Sequence, residues 1–230
     1  MSGVKHKKIL IVAIFLAAVF WTAAGMWIFR SLSDKDRATE QIGDARSLTL
    51  SEAKAKNSDT VGRVKIAGTE IDYPFVQTHD NEYYKTHSFD KSYNPAGWVF
   101  LDAGNASDLS GKHNIIYLHG KIEGTEFEPA RSVIASSTWM KEPSDFVITT
   151  SDGTKELRWQ VFSIYKIPET DDYLTIDFKN NNELLWLVSK LKGRSVYNFE
   201  VPFEANDKML TFSIKYNNEY IVAIHGKLIE

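Results

Sequence analysis

From Val61 to Ile229 the chain is cut into short runs rich in β-branched and aromatic residues, and this pattern limits its fold more than any other feature. The runs lie near 61–67, 70–77, 97–102, 113–119, 145–150, 155–166, 207–215 and 219–229. Side chains branched at Cβ lose rotamer freedom in a helix and pack well on a pleated surface, so each run reads as a strand. Turn signals separate several of them: Ala67-Gly68, Ser151-Asp152-Gly153 and Asn217-Asn218. Eight strands in an open sheet would leave long unpaired edges, so they predict a closed or nearly closed barrel. The expected fold class is mostly β, an eight-stranded barrel with peripheral helices. Two helical segments interrupt the strands. Asp80–Ser88 is short, whereas Asn182–Lys192 sets Leu184, Leu187, Val188 and Leu191 on one face, the spacing of a helix lying against a barrel.

The chain opens differently. Residues 9–29 form an uncharged run of 21, which spans roughly 30 Å as a helix, the thickness of a bilayer core. Lys5, Lys7 and Lys8 precede it and only Arg30 follows, which puts residues 1–8 in the cytoplasm and the large domain outside; Trp27 suits the interfacial belt. The alternative is a cleavable signal peptide ending near Thr22-Ala23-Ala24, but the run is longer than the ~7–15 apolar residues of such a segment. Residues 30–56 are polar, with Ser33 or Asp34 as a candidate N-cap. They read as a helical stalk, or as a helix packing on the domain that occupies 57–230.

The first 30 residues hold 4 of the 27 basic residues and none of the 30 acids, so the exported part carries about −7 and is a poor partner for nucleic acid. Cysteine is absent. That excludes disulfides, thiolate metal sites and a thiol nucleophile together.

Several segments occur in the order found in one family. Residues 57–62, Val64-Lys65-Ile66 and 68–74 match its first two strands; Tyr83-Tyr84, Phe89-Asp90-Lys91 and 96–102 continue the match. Residues 114–119, with Gly124-Thr125 and Phe127 behind them, match a histidine-bearing segment; 207–213 match the strand leading into a cysteine, and Lys227-Leu228-Ile229 the last strand. Over 57–230 the chain resembles the class B sortases, membrane-anchored transpeptidases of Gram-positive bacteria. The resemblance implies a sortase-like barrel and no cofactor. It also implies a reaction in which a cysteine attacks a sorting-signal carbonyl, a histidine acts as acid and base, an arginine stabilises the oxyanion, and a cell-wall or pilin amine resolves the acyl-enzyme.

Of those three groups the resemblance leaves His119 alone. Lys215 stands at the cysteine position, and Ile221, or Tyr220 if a bulge intervenes, at the arginine position. The loop between the last two strands has shrunk to Tyr216-Asn217-Asn218-Glu219, read as a two-residue type I′ hairpin because Asn tolerates positive φ. Leu118 and Gly120 replace the flanks that the family places around its histidine. The expectation is a degenerate, catalytically inactive member. It would bind a sorting-signal or pilin peptide, or an active sortase, through Thr211, Ser213 and Lys215, which alternate onto one strand face. Two alternatives stand beside it: a hydrolase or transpeptidase with Ser213 as nucleophile and Lys215 or His119 as base, and a purely structural surface protein. The bland reading makes the hydroxyls part of the strand and Lys215 a solvated residue beside a turn. His225 shares the parity of Lys227 and reads as a structural or surface histidine, since no metal-ligand spacing accompanies it. His6, His79, His87 and His113 fall in loops or termini, and Asp102 and Asp108 are assigned no role.

Overall fold

The computed structural model describes residues 19–29, 44–66, 71–118, 147–216 and 219–229. The chain divides into two compact units, Met1–Glu40 and Gln41–Glu230. In the first, residues 19–29 are helical and Phe20, Trp21, Trp27 and Phe29 are exposed. Residues 9–18 of the apolar run, and the candidate caps Ser33 and Asp34, lie outside the described residues. Among the described residues no helix is long and apolar enough to cross a membrane.

The second unit is a barrel of strands β1 (Thr60–Ile66), β2 (Asp72–Val76), β3 (Val99–Leu101), β4 (His113–Leu118), β5 (Val147–Ser151), β6 (Glu156–Pro168), β7 (Met209–Lys215) and β8 (Tyr220–Leu228). It closes in the order β1-β2-β3-β4-β7-β8-β6-β5. The β2–β3 and β4–β7 pairs are parallel and the rest antiparallel. On β7 the period of two sends Leu210, Phe212 and Ile214 into the main core with Ile116, Leu118, Trp159, Val222 and Ile224. Met209, Thr211, Ser213 and Lys215 take the opposite face.

A second apolar cluster covers part of that outer face. Helix α2 (Asn181–Arg194) lays Leu184, Leu187, Val188 and Leu191 over Phe162, Tyr165, Met209 and Ala223. It forms where the Leu stripe predicts. The Asn180 side chain accepts the N–H groups of Asn182 and Glu183, and Lys192 and Arg194 complement the last turn. A register shift between Val161 and Ser163 on β6 turns Phe162 outward into the helix contact while Ile164 returns to the core.

Ahead of the barrel, Thr49 and Glu52 form a capping box on α1 (Leu50–Lys56). Ala45 and Ala53 are buried, and the Arg63 guanidinium of β1 donates to the carbonyls of Arg46 and Leu48. Residues 44–56 therefore pack on the barrel.

One local expectation needs correction. Asp80–Ser88 is not a helix; only Tyr83–Lys85 forms a single 3-10 turn. The carbonyl of Tyr84 accepts from Trp98 N–H and that of Thr86 from Asn94 N–H, so acceptors that a helix needs are taken by the following loop. Gly97 makes the approach possible: it has φ 68°, and a Cβ there would lie 2.4 Å from the Tyr84 oxygen. Across the β7–β8 connection Lys215 pairs with Ile221 and Tyr216 N–H bonds the Tyr220 carbonyl, whereas Asn217 and Asn218, where the turn is expected, lie outside the described residues.

Candidate functional site

Strands β4, β7 and β8 lie side by side, with Tyr117 paired to Ser213, Ser213 to Ala223, and Lys215 to Ile221. The expected cysteine and arginine positions therefore face each other on neighbouring strands. Over them opens a cleft of about 540 Å³. Its floor includes Tyr117, Leu118, Ser213, Lys215 and Ile221, and the start of the β6–α2 connection, residues 169–174, walls one side. His119 follows Leu118 directly and lies outside the described residues.

Each polar group on the floor has a partner. The Lys215 ammonium donates to both carboxylate oxygens of Glu169. This corrects its reading as a solvated lysine, because its side chain is only 12% exposed. Ser213 shares a hydrogen bond of 2.8 Å with the Tyr173 hydroxyl, which burial pushes up to a pKa of about 12. Tyr117 donates to Asp102 at 2.8 Å, and burial and then that carboxylate raise its pKa. Asp102, assigned no role from the sequence, is buried and also accepts from Asn81 and from the Gly104 N–H. Tyr220, the other arginine candidate, pairs with Pro168, and the Lys166 ammonium lies 4.9 Å from its ring.

Thr211 is deeper and belongs to a buried chain. His113 Nδ1 donates to the Thr175 carbonyl at 2.6 Å, which leaves Nε2 to accept from the Thr211 hydroxyl at 2.6 Å. Thr211 Oγ1 in turn accepts from His225 Nδ1 at 2.8 Å, and His225 Nε2 accepts from Tyr165 at 3.0 Å. Both rings are fully buried and held neutral: burial pushes His113 down to about 4 and His225 well below its ordinary value. His113 is thus the first residue of β4 and no loop histidine, and His225 is structural.

Tyr173, Glu169 and Asp102 escaped the sequence reading. Tyr173 lies 40 residues from its partner Ser213, and no local pattern announces such a contact. Among the described residues no cluster of His, Asp or Glu could hold a metal ion.

No family profile matches the chain. It is 27% identical to sortase B of Listeria monocytogenes over 204 residues, 87% of this chain and 82% of that protein. It is 28% identical to sortase B of Staphylococcus aureus over 157 residues, 68% of this chain and 63% of that protein. A solved structure of sortase B from Listeria monocytogenes superposes with a TM-score of 0.66 at 28% identity, covering 78% of this chain and all of that one. In sequence and in fold the chain is similar to sortase B. It contains no cysteine. Lys215 and Ile221, the residues expected at the cysteine and arginine positions, pair with each other and both line the cleft.

Proposed function

We propose that this sortase B homologue is a binding protein of the cell surface, held by residues 9–29 with its barrel outside, and that it does not carry out transpeptidation. The observation that carries the reading is the pair on the cleft floor: Lys215, occupied by Glu169, stands opposite Ile221. An ammonium engaged by a carboxylate is no nucleophile, and an isoleucine offers no charge to an oxyanion. The cleft above them is large enough for several residues of peptide, which supports a retained grip on a sorting-signal or pilin peptide.

An active Ser213 finds less support. Its described partner is a tyrosine hydroxyl, Lys215 is engaged elsewhere, and the two buried histidines turn to Thr211 instead.

The test is mass spectrometry of full-length protein in detergent, incubated with fluorescent sorting-signal peptides and an amine acceptor. The unaltered chain is expected to bind a peptide by anisotropy and to release or transfer none. Cleaved or transferred product would sink the inactive reading, and absence of binding across the panel would sink the peptide reading.

A further inference from the structure

Lys215 and Glu169 form an unequal pair. The lysine side chain is 12% exposed and the glutamate 52%. A nearly buried cation is costly to leave alone, so an anion must rest on it. A half-exposed glutamate gives up rotamer freedom to stay there and recovers both freedom and hydration on leaving. Glu169 sets both oxygens on the ammonium, as a ligand's carboxylate would. Beside that point Ile221, Leu118 and Phe100 supply apolar surface in the same cleft.

We infer that the cleft receives the free C-terminal carboxylate of a peptide, which displaces Glu169 from Lys215 and lays an apolar side chain against Ile221 and Leu118. This rests on the peptide-binding reading and names the group that the site takes. Glu169 is then a resident stand-in for the ligand.

The proposal is tested by calorimetry on the full-length protein in detergent micelles. The probes are N-acetylated tetrapeptides ending in leucine or phenylalanine, together with sorting-signal peptides, each made as a C-terminal acid and as its amide. The acid form is expected to bind about tenfold more tightly than the amide, the equivalent of one charge-assisted hydrogen bond. Lys215→Met brings the acid down to the level of the amide. Glu169→Gln removes the competitor and tightens the acid roughly three- to tenfold, with the amide unmoved. That variant sits at a half-exposed position, so it separates a competitor from a brace, whose loss would weaken binding. Equal affinities for acid and amide, or a Glu169→Gln protein that binds the acid no more tightly, overturn the carboxylate assignment and leave peptide binding intact. Failure of every peptide with every variant overturns both.

Discussion

Thr211 is a hydroxyl held between two buried imidazoles, and its single proton gives the chain one direction, from Tyr165 through His225 and Thr211 to His113 and the Thr175 carbonyl. Removing the hydroxyl orphans a nitrogen on each ring. Thr211→Val is expected to cost about 2–4 kcal/mol in urea unfolding, and Thr211→Ser to recover most of it. Acid acts on the same groups. Below pH 6.5 the unfolded chain protonates a histidine that the fold keeps neutral down to about 4. The unfolded state then binds more protons, so stability is fullest above 6.5 and falls as pH drops toward 4, by about 1.4 kcal/mol per unit for each such histidine. Urea midpoints between pH 4 and 7 check this; in Thr211→Val the slope should persist from a lower start. What the sequence made legible here was the common face of Thr211, Ser213 and Lys215, because alternation on a strand is local. His113 meets Thr211 across 98 residues, and only the parallel β4–β7 pairing brings them together.

Helix α2 shows where an element can be read from the sequence and where it cannot. Its Leu stripe repeats at i, i+3, i+4 and i+7, so the buried face was written in the spacing. Residues 80–88 have no such stripe, and their backbone was diverted by Trp98 and Asn94, partners that lie outside the segment. Leu191 is fully buried, and its truncation to Ala is expected to cost about 2–5 kcal/mol, whereas Asn180→Ala at the cap should cost about 1 kcal/mol, both measured by chemical denaturation. The helix also holds the cleft wall. Arg194 and Lys190 grip Asp172, whose carboxyl the Arg194 guanidinium keeps far below the usual carboxylate range, and the next residue, Tyr173, reaches Ser213. Arg194→Met should therefore loosen peptide binding in the cleft more than it lowers the melting temperature.

At the scale of the whole molecule, the scaffold does not depend on the chemistry of the cleft. The barrel closes through backbone pairing and an apolar core, and neither asks what Lys215 or Ile221 can do. Introducing a thiol and a guanidinium as Lys215→Cys with Ile221→Arg should therefore leave the fold standing, with a far-ultraviolet spectrum unchanged from the parent. The apolar run 9–29 makes a separate prediction. Full-length protein should sediment with membranes and resist release by high salt, and deletion of 9–29 should move it to the soluble fraction; a full-length protein washed off by salt would count against the anchor. The strand pattern that foretold the barrel carried no account of its end-to-end ring of hydrogen bonds. That ring has its own consequence for a guest. Among the described residues each of the eight strands has a neighbour on both sides, so a bound peptide would lie across the slats of the barrel instead of becoming one more of them. Its identity would then be read by what its side chains and its end carry, and a slip of two residues along the guest would not be silent.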